Sequence, residues 1–202
     1  MTAPPSILTV ATDLFGGAIT AHIPANFEDA SNHRPVPDTQ EVFVSRTYDT
    51  DISIIFDILE RVPGSDQGSL EVHWDEVVAS DPQRSHKLFN TQSVVLPNLV
   101  DKPAYTITGT ISEKDPQTQP PLFIALLMTV VRLQEQATDL VITVNVPFTS
   151  VGLVADEGLL AAPGWEGELS GVPGELLQAG MMVRDKVLET FRICDWGLFA
   201  EN

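Results

Sequence analysis

The spacing of apolar and polar residues changes several times along this chain, and the changes mark its elements. Residues 1–13, with Pro4 and Pro5 early on, read as a loose tail. The paired glycines Gly16 and Gly17 predict a tight turn, followed by a short strand from Ile19 to Ile23. Asn26 to Thr39 is rich in Asn, Asp, Ser and Pro and reads as an ordered loop, held extended by Pro35 and Pro37. Glu41 to Ser45 then reads as a strand. From Asp51 to Val62 the period lengthens: Ile54, Ile55, Ile58, Leu59 and Val62 recur at i, i+1, i+4, i+5 and i+8. That spacing predicts an amphipathic helix capped by Asp51 and stopped by Pro63-Gly64, with Asp57 and Glu60 side by side on its wet face.

A second helix is expected over Leu70 to Ser80, with Val72, Trp74 and Val77 packing inward, and strands around Ser93 to Leu96 and Tyr105 to Ser112. Leu122 to Leu133 is nearly all apolar, so its period does not separate helix from strand. The short link Gln134 to Thr138 and the β-branched run Asp139 to Val146 decide for a hairpin. The apolar run is also well short of the roughly 20 residues that cross a bilayer as a helix. Residues 152–174 are heavy in Gly, Pro and Ala and read as a surface loop, and Glu175 to Phe191 as an amphipathic helix. The expected organisation is one domain over 14–202 behind the 1–13 tail, with no internal repeat.

Composition makes a packed core affordable: 43% of the 202 residues are hydrophobic and 19% charged. Charge narrows the partners. Lys and Arg number 11 against 28 Asp and Glu, a net charge of −17. Such a chain repels nucleic acid and anionic membrane surfaces and favours a basic protein surface. The N-terminus lacks the basic region of a secretory signal.

Catalytic chemistry is hard to find. There is no phosphate loop with Lys-Ser/Thr, no GxSxG elbow and no Cys/His spacing suited to zinc, so no metal, cofactor or catalytic residue is expected. Cys194 stands among apolar neighbours and is expected to be buried and inert; the single cysteine permits no internal disulfide. His22, His33, His73 and His86 are scattered singly. Asp57 and Glu60 could split an acid and a base role, but carboxylates on an exposed face are more often solvated or meet Lys and Arg of a partner. They lie in the densest acidic stretch, residues 49–81, which holds nine acids against the single base Arg61.

These residues carry a family likeness. Leu14-Phe15-Gly16-Gly17-Ala18-Ile19, then Arg34-Pro35-Val36-Pro37-Asp38-Thr39-Gln40-Glu41-Val42-Phe43, resembles the Mog family of Ran guanine-nucleotide release factors. Ser53 to Glu60 looks like the family's acidic helix, and Arg132-Leu133 with Thr138 to Ile142 and Asn145-Val146-Pro147 looks like its central hairpin; 152–174 departs from the pattern. The resemblance implies an α+β fold, an α/β/α sandwich whose mainly antiparallel sheet has helices on both faces. It also implies a monomer of nucleus and cytoplasm that binds the Ran GTPase, with or without a further Ran-binding cofactor protein, and promotes nucleotide release in nuclear import. The family's Ran-contacting acids fall on Asp57 and Glu60, with Arg34, Asp38, Gln40 and Glu41 as a second set. Two other readings compete: an enzyme or small-ligand protein using a cleft beside Asp57 and Glu60, and a passive adaptor for Ran or a membrane protein without effect on nucleotide.

Overall fold

The computed structural model describes residues 7–46, 52–79, 84–113, 123–148 and 175–200; Asp51 and the 152–174 stretch lie outside them. The chain runs β1 (Thr9–Leu14), β2 (Ile19–Pro24), β3 (Phe27–Asp29), β4 (Gln40–Ser45), β5 (Ser53–Glu60), α1 (Asp66–Val78), β6 (Arg84–Val94), β7 (Ala104–Glu113), β8 (Phe123–Leu133), β9 (Thr138–Phe148), α2 (Glu175–Thr190) and β10 (Arg192–Ile193). The strands form a seven-stranded sheet in the order β3-β4-β5-β9-β8-β7-β6 and a three-stranded sheet in the order β1-β2-β10. Every described strand pair is antiparallel.

Two expectations are corrected here. The helix expected over Asp51 to Val62 is instead β5, paired with β4 on one side and β9 on the other. Its apolar residues serve both faces of the sheet. Ile54 and Phe56 are buried in one hydrophobic cluster with Ile58 packed against it, while Leu59 packs on another. A strand apolar on both faces yields a run that also satisfies a helical stripe, and pairing with two neighbours decides between them. The loose tail also ends earlier than expected, because Thr9–Leu14 is β1 and pairs along its whole length with β2.

The core divides by strand parity. On β8, Ala125, Leu127, Val131 and Leu133 join Ile54, Phe56, Ile142, Val144 and the α2 residues Leu177, Val183 and Val187. Leu126, Met128 and Val130 join Leu70, Trp74 and Val78 of α1 with Ile107 and Val141. Alternate side chains of a strand point to opposite faces, so β8 feeds two clusters. Both helices seat against glycine positions. A Cβ on Gly109 of β7 would stand 2.2 Å from Trp74 Cη2, and one on Gly180 of α2 would stand 2.3 Å from Val146 Cγ2.

The sequence specifies α1 at both ends. Pro63 and Gly64 precede it, Ser65 Oγ caps it by accepting from the Gly68 amide at 3.2 Å, and the Ala79 amide closes on the Asp75 carbonyl. Ser69, Leu70, His73, Trp74 and Val78 are its buried stripe. Val72, expected to face inward, is exposed, as is Cys194, whose Sγ lies 3.6 Å from Thr20 Oγ1. The expected loop between Asn26 and Thr39 contains β3 and a short 3-10 turn at Ala30–Asn32.

Candidate protein-binding site

Because β5 is a strand, Asp57 and Glu60 do not share a face: an odd separation turns their side chains to opposite sides of the sheet. Asp57 stands opposite Gln40 of β4, and Gln40 Nε2 donates to its Oδ1 at 2.7 Å. Both border an open groove of about 400 Å³ on the part of the sheet that α1 leaves uncovered. Ile55, Leu126 and Asn145 lie in its floor, with Val77 of α1 and Arg84 at its sides. Burial pushes the Asp57 carboxyl above the usual carboxylate range, and the Gln40 hydrogen bond opposes that rise. Among the contacts described, the half-buried carboxylate has a neutral amide as its hydrogen-bond donor.

The remaining residues separate into supports and exposed groups. Glu41, next to Gln40 but facing the other way, accepts from the Phe15 amide at 2.7 Å. Phe15, Gly16 and Gly17 all have positive φ, at 50°, 67° and 90°, so Glu41 ties down a strained left-handed turn. Arg34 and Asp38 are exposed on the loop before β4. The Gln40 amide closes a turn on the Pro37 carbonyl, and the Ile58 amide donates to the Thr39 carbonyl, which brings this loop to the Glu60 end of β5. Arg34 also borders a smaller concavity beside Glu28, whose carboxyl is held below the usual range by hydrogen bonds from Arg46 and His33. Glu60 is exposed at the last position of β5, opposite Thr138.

Beneath that end lies a buried charged cluster that sequence reasoning missed. Arg132 and Asp139 stand opposite each other across the β8–β9 hairpin, 2% and 0% exposed. Arg132 Nε lies 2.9 Å from Asp139 Oδ1, a close charge contact rather than an aligned hydrogen bond. Asp139 Oδ2 is 2.8 Å from His73 Nε2 and accepts from the Val62 amide at 3.0 Å. An Arg132 terminal nitrogen donates to the Val62 carbonyl at 2.8 Å. The other is 3.6 Å from Asp66 Oδ1, and the Tyr105 hydroxyl donates to Asp66 Oδ2 at 2.5 Å. His73 Nδ1 has Glu76 at 3.6 Å. The available signal was opposite charges flanking a short hairpin link within strands expected to be apolar, which only pairing makes tolerable.

Among the described residues, no group of three or more His, Cys, Asp or Glu is placed to hold a metal ion, and no helix is long and apolar enough to cross a membrane. Fold and site together define a mainly antiparallel α+β protein, with two α-helices among the described residues, presenting polar side chains on an open sheet face and an exposed acidic strand end. Residues 12–147 match the family described as "Mog1: Ran-interacting Mog1 protein". The chain belongs to the Mog1 family. A Ran guanine nucleotide release factor of Bos taurus is 33% identical over 141 residues, covering 66% of this chain and 74% of that protein. The nuclear import protein MOG1 of Saccharomyces cerevisiae is 32% identical over 150 residues, covering 68% and 66%. The crystal structure of the Saccharomyces cerevisiae Ran-binding protein Mog1p aligns with a TM-score of 0.72 at 26% identity, covering 96% of this chain and 100% of that one.

Proposed function

We propose that this protein binds the Ran GTPase and promotes release of its guanine nucleotide, supporting nuclear protein import by binding rather than by catalysis. Membership of residues 12–147 in the family of Ran-interacting Mog1 proteins carries this reading. A release factor binds the open or empty GTPase more tightly than the loaded one, and linkage then weakens the nucleotide by the same factor. In this reading Glu60, Asp38 and Arg34 meet Ran at the exposed end of β5, and Asp57 meets it at the groove. Gln40 and Glu41 contribute mainly from behind, one through its bond to Asp57 and the other by holding the Phe15–Gly17 turn. The domain is a monomeric α/β/α sandwich of nucleus and cytoplasm, α1 on one side of the large sheet and α2 on the other. The two core clusters support that layering.

Loss of a fluorescent guanine nucleotide from Ran tests the activity. Stoichiometric protein is expected to speed it; an unchanged off-rate, with and without a second Ran-binding protein, would overturn the reading. Binding without faster release would favour the passive adaptor. Glu60→Lys, at an exposed position, is expected to weaken Ran binding by about 2 kcal/mol while leaving the unfolding midpoint near the native value.

A further inference from the structure

We propose that the buried Arg132–Asp139–His73 cluster is a positioning device for the partner-binding end of β5. It fixes the crossing from Glu60 to Asp66 so that the strand end presents Glu60 to a partner in one rigid position. The inference rests on the reading that Glu60 meets Ran.

Stability alone does not account for the cluster. Taking charged groups out of water costs several kcal/mol per ion, and apolar residues of similar volume often fill such a space equally well or better. What apolar residues cannot supply is the grip on Val62, whose amide and carbonyl are both bound, by Asp139 at 3.0 Å and Arg132 at 2.8 Å. The Arg61 amide donates to the Ala137 carbonyl at 2.8 Å, so two consecutive residues after Glu60 are tied to the β8–β9 hairpin. Pro63 and Gly64, at φ 102°, then turn the chain, and the Tyr105 hydroxyl holds Asp66, the first residue of α1.

The parts fixed in this way carry the charge. Glu60 is the residue immediately before the crossing, and its register partner Thr138 is the neighbour of Asp139. The helix beyond the crossing contains no Lys or Arg and exposes Glu71, Asp75 and Glu76. His73, from the buried side of that helix, reaches the same Asp139 carboxylate that holds Val62. One carboxylate thus sets the strand end and the helix relative to each other, and drift in either would move Glu60 from the position in which a partner meets it. Preorganised display of this kind lowers the ordering cost of association.

Two substitutions separate positioning from mere support. Arg132→Lys keeps the charge but loses the planar fork that reaches both Asp139 and Val62. The combination Arg132→Met, Asp139→Leu, His73→Phe replaces the cluster by apolar volume. Ran affinity is measured by titration at a temperature where circular dichroism shows each variant fully folded. Both are expected to bind Ran at least about tenfold more weakly than the native chain, a factor of ten corresponding to 1.4 kcal/mol. Native affinity in either folded variant overturns the proposal, because a purely structural cluster would change the melting temperature and not the affinity of folded molecules. Amide hydrogen exchange of the native protein needs no variant: Val62 is expected to exchange as slowly as the central residues of β9, and fast exchange there also overturns it. Glu60→Lys is run alongside. If that variant binds Ran like the native chain, the reading of Glu60 has failed; if it loses affinity while the cluster variants keep theirs, the positioning proposal alone has failed.

Discussion

Two halves of one sheet face handle a buried acid in opposite ways. Where α1 covers the face, Asp139 is fully buried and meets Arg132, His73 and the Val62 amide. Where α1 leaves it open, Asp57 is half-buried and receives a hydrogen bond from the neutral Gln40 side chain. A charge compensated from several directions is locked into the architecture, because removing any partner strands the others in low dielectric. A carboxylate with a neutral donor, facing a groove, retains a deficit that a cationic partner can fill. The same residue type on the same face is therefore scaffold in one half and, in the proposed reading, recognition surface in the other.

Substitutions can break this contrast. The largest effect is expected for Asp139→Ala, which leaves the Arg132 guanidinium buried without its carboxylate: a loss of about 3–5 kcal/mol, read from urea unfolding. Next is Gly109→Ala, which tests how tightly the covered half is packed. The new Cβ would meet Trp74 Cη2 at 2.2 Å and the Lys87 backbone oxygen at 2.5 Å. Overpacking of this kind costs about 1–3 kcal/mol by the same measurement. The smallest effect is expected for Asp57→Asn, within about 1 kcal/mol of the native chain at neutral pH, because the amide oxygen can still accept from Gln40.

The pH dependence of that last variant sharpens the contrast. Burial raises the folded-state affinity of Asp57 for its proton above that of the unfolded chain. Its contribution to stability is thus fully present below the unfolded carboxylate range and is lost as pH rises through the raised folded value. Urea midpoints recorded from acid to neutral pH should show this decline in the native chain and its absence in Asp57→Asn. Superimposable profiles would mean that the groove solvates Asp57 fully.

The hairpin β8–β9, strands β2, β4 and β7, and both helices at α1 and α2 were legible because their patterns had either a clean period or decisive flanks. Asp51 to Val62 was misread for a definite reason: Ile54, Phe56 and Ile58 serve one side of β5 while Ile55 and Leu59 serve the other, so the run fits periods of both 2 and 3.6. Its strand character comes from β4 and β9, which no local pattern reports. The same error placed Asp57 and Glu60 together. Gln40 and Glu41 were singled out by motif, yet their tasks depend on residues 17 and 26 positions away along the chain. The cluster around Asp139 was hidden further, since His73 lies 66 residues before the acid it touches.

The small sheet has a consequence for how the molecule is made. Its central strand β2 pairs with β1 on one edge and with β10 on the other, and the amides of Cys194 and Asp195 both donate to the Ala18 carbonyl. Thr20 and Cys194 touch across 174 residues of sequence. A ribosome delivers β1 and β2 first, and a lone two-stranded hairpin has little stability in water. Throughout synthesis of the large sheet, β2 therefore keeps an unpaired edge, which a nascent neighbour could occupy and which closes only when Arg192 and Ile193 emerge. Completion of the smaller sheet therefore waits until the large sheet and α2 have been synthesised.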